Sequence, residues 1–505
     1  KVIEAPTGTG KTGLILALSA LNSDLRFIVL CATKQEQEQY LKNLAHEDND
    51  IVTVKGKNNF HCVYKHPDTQ GVNEECQDAP CSVMHVDEAP CTVGFECPVR
   101  GECFYFKQRR YAFKARVVIA NYAIGLSVLN YLPEALGFGH RDVIVEDEGH
   151  ILDEQLETFL QVKLTRNTVR RLFGIELPHF KEGGTIPEWK GWLKGYWEAI
   201  RDVRSIYSDI PAEELSSREV RELLALDSYI DRFKRVKDMD FEWVVEEDSS
   251  GYTFMPVWVT QDSREVLFKH ANRHIIMSGT IPSSTELANK VGLSVSDFEF
   301  FRLPYTFPPE NRPIVLDPRV SLKYADIELN LGALCDVVDE YIVEHLDKKI
   351  LVHSKNYNIT RYLAEHSQFM DSMFTHNTQN RNAVLEEFKL SPPPAILVSP
   401  SFDKAVDLPG DECELIIVAK VPYPYLGSKV MKRRAQENRR YYTHETLMTL
   451  IQMAGRGVRS EVDVCPTIVV DKLGPSFFGQ ARGMIPKGIQ DAINAGKKLK
   501  SEGRI

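Results

Sequence analysis

Near the start of the 505-residue chain, EAPTGTGKT (residues 4–12) follows the apolar run VI and precedes GLILALSAL, a segment of good helix formers. A glycine-rich turn leading from a strand into a helix aims successive backbone N–H groups at one point, where the helix dipole also favours an anion. This combination demands a buried strand, a phosphate-sized loop and a helix packed back on its sheet, and so points to an α/β fold. Thr7, Gly8, Thr9 and Gly10 are expected to form the loop. Lys11 is expected to reach the β- and γ-phosphates of a nucleoside triphosphate, and the Thr12 hydroxyl to hold Mg²⁺. Ala5 stands where the first glycine of such a loop is usual. By itself the loop implies nucleotide binding and no more.

The other half of such a site is a carboxylate at the end of a neighbouring strand. DVIVEDEGH (142–150) supplies Asp147, expected to hold Mg²⁺ through its water shell, and Glu148, expected to orient and deprotonate the attacking water. His150 follows as a relay of the nucleotide's state. The bland alternative is an acidic turn after a strand, which becomes the minority reading beside an intact phosphate loop. IQMAGRGVRS (451–460) adds Gln452, Arg456 and Arg459. On a helix the two arginines would share a face and reach a γ-phosphate from a facing domain. The alternative is a basic helix C-terminus meeting its dipole. Gly455 in a helix interior costs about 1 kcal/mol relative to alanine, which favours a close-approach role.

The rest of the chain frames these motifs. Its length suggests three or four domains, and 43% hydrophobic with 26% charged residues describes a globular rather than a disordered protein. No run of eighteen apolar residues appears, so no membrane partner is expected. Residue 1 falls inside an apparent buried strand, so an earlier segment is expected, with no sign of secretion. RFIVLCAT, RVVIANY, DVIVEDE and HIIMSGT alternate with helical segments and imply a mainly parallel sheet. After the proline-rich LPYTFPPENRP (303–313), the runs PIVLD, KILVHS, AILVSP, ELIIVAKV and TIVVD imply a second. Between Glu148 and Ser278, SSREVRELLALDSYIDRFKRV (216–236) has helical periodicity at Val220, Leu223, Leu226, Ile230 and Phe233, with Ser216 and Glu219 as a capping box. The net charge of −10 argues against a generally basic nucleic-acid coat. Two local basic stretches, KQRRYAFKAR (107–116) and KVMKRRAQENRR (429–440), read equally as solvated helix faces or as nucleic-acid patches.

Taken in order, these motifs resemble those of the superfamily-two helicases of the iron–sulfur branch typified by XPD and DinG. APTGTGKT matches motif I, DEGH the DEAH box with Gly149 in place of alanine, and QMAGRGVR motif VI. MSGT (277–280) stands where the family has Ser-Ala-Thr, and SFDKAVDLPG (401–410) is similar to motif V, with Lys404 and Ala405 in place of Glu-Gly. The resemblance covers nearly the whole chain. It implies two RecA-like parallel-sheet motor domains with an inserted iron–sulfur domain and a helical arch. The expected divisions are 1–59 plus 104–151 plus 266–308 for the first motor, 60–103 for the cluster domain, 152–265 for the arch and 309–505 for the second motor. It further implies Asp407 at the ATP and Mg²⁺ site, and Ser278 and Thr280 coupling nucleotide to DNA. The family's adenine-reading segment would precede residue 1.

Six of the ten cysteines fall between Cys62 and Cys103, with Cys91, Cys97 and Cys103 at even six-residue steps. Without secretion signals, ligation is favoured over disulfides, and by spacing alone a Cys₄ zinc site is the first choice. The resemblance instead implies a [4Fe–4S] cluster held by Cys62, Cys91, Cys97 and Cys103, with Cys76 and Cys81 as rivals for the middle pair. A segment so poor in apolar residues needs ligation to replace a core. Tyr105, Lys107, Arg109 and Arg110 follow the last ligand and are expected to contact single-stranded DNA. The implied activity is an intracellular ATP-dependent DNA helicase (in cytoplasm and nucleoid, or in a nucleus), moving 5′→3′ on single-stranded DNA and unwinding forked duplex, DNA repair being one of its uses. Protein partners are left unspecified. The alternatives are a translocase that remodels R-loops, DNA–RNA hybrids or protein–DNA complexes, and a nucleic-acid-binding redox sensor with a degenerate motor.

Overall fold

In the first sheet of the computed structural model, the central strands are short, apolar and buried on both faces, which is how parallel strands covered by helices read. The structure describes residues 1–6, 8–44, 50–64, 85–92, 94, 96–207, 210–211, 214–377, 379–402 and 408–503. In chain order the strands of its first half are Val2–Glu4 (β1), Phe27–Cys31 (β2), Ile51–Val54 (β3), Val117–Asn121 (β4), Val143–Glu146 (β5), Val162–Thr165 (β6), Trp243–Asp248 (β7), Gly251–Pro256 (β8), Arg273–Ser278 (β9) and Phe300–Arg302 (β10). Seven of them form a parallel sheet in the order β10-β1-β9-β5-β2-β4-β3. Because β9 lies between β1 and β5, the ends of these three strands place Ser278 between the glycine-rich loop and the Asp147–His150 turn. Ligands bind outside the carboxyl ends of the strands in such sheets.

The second half contributes Ile314–Val320 (β11), Lys349–His353 (β12), Met373–Phe374 (β13), Ala395–Ser399 (β14), Leu415–Val418 (β15) and Thr467–Asp471 (β16). These form a second parallel sheet, β11-β16-β15-β12-β14-β13, with apolar cores on both faces. Each strand-like run read from the sequence is a strand here. The chain therefore has an α/β fold of two RecA-like parallel sheets. Among the described residues, no helix is long and apolar enough to cross a membrane.

Between β5 and β9, within the sequence of the first sheet, lies an insertion that we place at 162–256. The helix Leu152–Leu160, expected to open it, instead turns Leu152, Leu156 and Leu160 into the first sheet's core. After the insertion, Val259, Val266 and Leu267 return to that core. The insertion is not purely helical: β6-β8-β7 form a small antiparallel sheet. Val162 and Leu164 are buried while Lys163 is exposed, the alternation of a sheet covered on one face. Ile186–Asp202 and Ser217–Asp238 cover that face, and both begin with a complete capping box. The second of these helices lies against the short turns Val86–Glu88 and Pro90–Thr92, so the cysteine-bearing segment touches the insertion. Arg141, buried just before β5, donates to the carbonyls of Ala112 (2.6 Å) and Ala115 (2.8 Å). It thereby fastens the end of the helix Phe104–Lys114, which follows Cys103, to the first sheet.

Candidate active site

The turn from β1 into the helix Lys11–Leu21 has Gly8 and Gly10 at φ 83° and 77°, left-handed conformations that only glycine adopts without strain. Thr9 closes the loop by donating its hydroxyl to the Pro6 carbonyl at 2.6 Å. Lys11 Nζ then meets Glu148 Oε1 at 2.8 Å. Burial opposes charge on Lys11, yet Glu148 and Asp147 hold its pKa above the ordinary lysine value. For Glu148, burial would raise the pKa, but Lys11 and His150 hold it below the usual carboxylate range. This glutamate is therefore a carboxylate at neutral pH, as an acceptor of a water proton must be.

Glu148 also has φ 49° and ψ 41°, a left-handed backbone in a non-glycine residue. Such strain persists only where the surroundings over-determine it, and it clusters at functional turns. Here the surroundings are specific. Glu148 N–H donates to Asp147 Oδ1 at 2.9 Å, and Tyr122 Oη donates to the Asp147 carbonyl at 2.8 Å. Tyr40 Oη donates to Asp147 Oδ2 at 2.6 Å. Burial, then Asp147, pushes the Tyr40 phenol up, so it stays a donor. Gly149 answers a second constraint: a Cβ there would lie 2.3 Å from Ile276 Cγ2 in β9. The alanine of a DEAH sequence does not fit this packing. At Gly279 a Cβ would meet only Lys11 Nζ at 3.6 Å and the Ala5 carbonyl at 3.7 Å, ordinary contact distances.

His150 joins the two sheets. Its Nδ1 lies 3.1 Å from Glu148 Oε2 and 2.8 Å from Ser278 Oγ, and its Nε2 lies 2.6 Å from Gln452 Nε2. With the Gln452 amide presenting N–H, Nε2 accepts and the Nδ1 proton faces Glu148 and Ser278. Ser278 Oγ in turn accepts from Thr280 N at 3.1 Å. An unbroken polar path thus runs from Thr280 through Ser278 and His150 to Gln452 on the other sheet.

Lys11, Tyr40, Asp147, Glu148, His150 and Gln452 face a cleft of about 650 Å³, within the usual range for small-molecule sites. Lys11, Thr12, Asp147 and Glu148 line one wall, and Gln452, Arg456 and Arg459 the other. The two arginines are not on a helix, contrary to the sequence expectation. The helix Arg439–Ala454 ends just before them, with Gly455 as its C-cap rather than an interior residue. The loop that follows is pinned by Asp463, whose Oδ2 accepts from Arg459 N at 2.7 Å and Ser460 N at 2.8 Å. Thr7 and Asp407 lie outside the described residues. Sequence reasoning missed Tyr305 and Arg312, stacked at 4.0 Å on the same cleft. Their signal was an aromatic and an arginine inside the proline-rich stretch 303–313 that separates the two sets of strands.

Around the cysteines the structure is less closed. Among the described residues, no group of three or more His, Cys, Asp or Glu side chains is placed to hold a metal ion. The four expected ligands nonetheless share a neighbourhood as thiols. Cys62 and Cys103 pack in one small apolar cluster with Phe60, Val86 and Phe106. Burial, and then Cys97 and Cys103 against a backbone bond from Tyr64, raises the Cys62 pKa. Burial raises Cys91 as well, with Lys57 opposing and Cys62, Cys97 and Cys103 adding to it. Donor type and neighbourhood fit a thiolate-bound group. Cys76 and Cys81 lie outside the described residues.

Tyr105 does not serve as the expected base-stacking ring. It is 6% exposed, packed with Phe60 and Phe106, and its Oη accepts from Arg109 Nη1 at 3.0 Å. Arg110 is exposed and spends Nη2 on the Gly101 carbonyl at 3.0 Å. Apart from Phe113, 41% exposed, the exposed rings of this helix are Phe104 and Tyr111, each 63% exposed. With Lys107 and Lys114 they fall at i, i+3, i+7 and i+10, a single stripe along the helix. Lys107 Nζ sits 5.4 Å from the Phe104 ring centroid.

Comparison with known proteins agrees with this arrangement. Residues 340–475 match the family described as helicase C-terminal domain. The ATP-dependent DNA helicase YoaA of Haemophilus influenzae is 21% identical, over 93% of this chain and 87% of that protein. The ATP-dependent DNA helicase DinG of Photobacterium profundum is 22% identical, over 66% of this chain and 54% of its own length. Among solved structures, an XPD helicase superimposes with a TM-score of 0.61 at 16% identity, covering 96% of this chain and 94% of that one.

Proposed function

We propose, from the premise that this chain belongs to the XPD/DinG-like helicases of superfamily two, that it hydrolyses ATP with Mg²⁺ to move 5′→3′ on single-stranded DNA and unwind forked duplex. The observation that carries this reading is the bridge from Lys11 and Glu148 through His150 to Gln452, which makes one cleft out of two sheets. Lys11 and Thr12 would hold phosphates and metal, and Asp147 would hold Mg²⁺ through water. Glu148 would accept the proton of the attacking water, while Arg456 and Arg459 would meet charge developing on the γ-phosphate. Hydrolysis would then release the second sheet from the first, and alternate closure would step the chain along DNA.

A [4Fe–4S] cluster on Cys62, Cys91, Cys97 and Cys103 is part of the proposal, in a structural role. Bound there, it would replace the core that the segment lacks and stiffen it against the insertion helix. The shared thiol neighbourhood supports this set. Phe104, Lys107, Tyr111 and Lys114 are our choice for the face that meets single-stranded DNA, with rings for bases and amines for phosphates. The protein would work inside the cell.

Unwinding of forked substrates bearing a single 5′ or a single 3′ tail tests the reading. Opening of the 5′-tailed fork only, lost in Cys97→Ser, is the expected result. Opening of the 3′-tailed fork would overturn the polarity. Opening of DNA–RNA hybrids alone would move the reading to an R-loop remodeller.

A further inference from the structure

Seven residues before Gln452, on the same face of the helix Arg439–Ala454, stands Glu445. Seven residues advance an α-helix by about 10 Å and bring the side chain back to nearly the same direction. Glu445 Oε1 accepts from Lys290 Nζ at 2.8 Å. Lys290, in the helix Ser284–Val291, also pairs with Asp153 Oδ1 at 2.8 Å and donates to the His150 carbonyl at 3.1 Å. All three side chains are buried, Lys290 being 1% exposed. His150 is therefore held twice by one helix, through its ring by Gln452 and through its carbonyl, by way of Lys290, by Glu445.

A single bond between two bodies leaves them free to tilt about it, whereas two bonds one above the other fix orientation as well. Lys290, Asp153 and Glu445 stand outside the cleft wall, so they do not touch nucleotide. Further charge surrounds them: His444 Nδ1 lies 3.1 Å from Glu445 Oε1, and Arg434 Nη1 lies 3.8 Å from Asp153 Oδ2. A buried cluster of this kind is weak evidence of net stabilisation, because the desolvation of each ion offsets the attraction. Its placement is the informative feature.

We propose that Lys290, with Glu445 and Asp153, is a positioning residue for hydrolysis. It sets the angle at which the helix carrying Gln452 meets the Asp147–His150 turn, so that movement of the second sheet on DNA reaches His150 at two points. This rests on the ATP-hydrolysing reading above.

The test compares the wild-type chain with Lys290→Met/Glu445→Gln, which removes one cation and one anion together and leaves the net charge of the cluster unchanged. ATP turnover with and without single-stranded DNA is measured beside equilibrium binding of a non-hydrolysable ATP analogue. Analogue affinity is expected to stay within about twofold of wild type. DNA-stimulated kcat is expected to fall by roughly tenfold to a hundredfold, as misplacement of about 1 Å does elsewhere. The isosteric Glu445→Gln alone is expected to move kcat in the same direction by less, and it decides the matter if the double variant does not fold. A folded variant with wild-type stimulated kcat, or with only KM changed, would overturn the inference. A wild-type chain without DNA-stimulated turnover would overturn the helicase reading and this inference with it.

Discussion

The two basic stretches, 107–116 and 429–440, look alike in the sequence and do opposite things in the fold. In the first, alternate turns of the helix Phe104–Lys114 leave a stripe of rings and lysines exposed to solvent. In the second, several cations are committed to groups far along the same chain. Arg434 is 2% exposed and meets Glu157 Oε2 at 2.7 Å across 277 residues of sequence. Lys429 Nζ donates to the Val245 carbonyl at 2.7 Å, and Arg440 Nε pairs with Glu286 at 2.8 Å. The second stretch thus does more than present a solvated face, although Lys432, Arg439 and Arg440 stay exposed. It clasps the second sheet to the first and to the insertion. A run of positive charge says that anions are wanted, but not whether they come from solvent partners or from carboxylates far along the same chain.

If that contrast holds, the same kind of change should have different consequences in the two places. Arg434→Ala leaves the half-buried Glu157 without its cation while Asp153 keeps Lys290, and breaking a pair of this kind costs up to about 3–5 kcal/mol where it is fully buried. A marked drop in the thermal unfolding midpoint is expected, and an unchanged midpoint would dissolve the clasp. Phe104→Ala and Tyr111→Ala should leave the midpoint alone and weaken single-stranded DNA binding by about 1–3 kcal/mol for each stacked base. Fluorescence anisotropy with a short oligonucleotide reads this, and Tyr105→Phe, on the buried ring, should leave DNA binding unaltered.

The smallest expected effect concerns a half-buried carboxylate held by backbone N–H groups. Glu36 accepts from Ala32 N at 2.9 Å and Thr33 N at 3.0 Å beside the cleft. Burial, then Glu148, pushes its pKa from 4.5 up to about 7 despite those donors. Between these two values the folded chain binds more protons than the unfolded one, so stability falls as pH rises through that window and levels off above it. Glu36→Gln keeps an acceptor for both N–H groups and removes the titration. Its midpoint should therefore fall less than that of wild type between pH 5 and 7, read by thermal melts across that range; parallel curves would contradict the shift.

What was legible in the sequence follows the range of the forces involved. Strands such as FIVLC and the capping box Ser216–Glu219 are written within a few residues, and they stand as read. That Lys11, Asp147 and Glu148 line one cleft was legible too, because each follows a strand that the pattern of alternation locates. Tertiary packing hid the rest. That Leu152, Leu156 and Leu160 turn towards the first sheet depends on what covers them. The burial of Tyr105, with Phe104 and Tyr111 left outside, depends on where Phe60 returns. The arginine loop after Ala454 reads as helix until Asp463 is seen to hold it.

The most direct test of a cleft built from both sheets is ATP turnover by Arg456→Ala with single-stranded DNA present. Lys11 and Glu148 belong to the first sheet and would matter to any nucleotide site there; Arg456 belongs to the second. The account predicts a fall in kcat of roughly a thousandfold, the scale on which an arginine contributes to phosphoryl transfer, with the affinity for an ATP analogue little changed. Turnover at the wild-type rate would mean that the first sheet hydrolyses ATP alone, and would contradict the account.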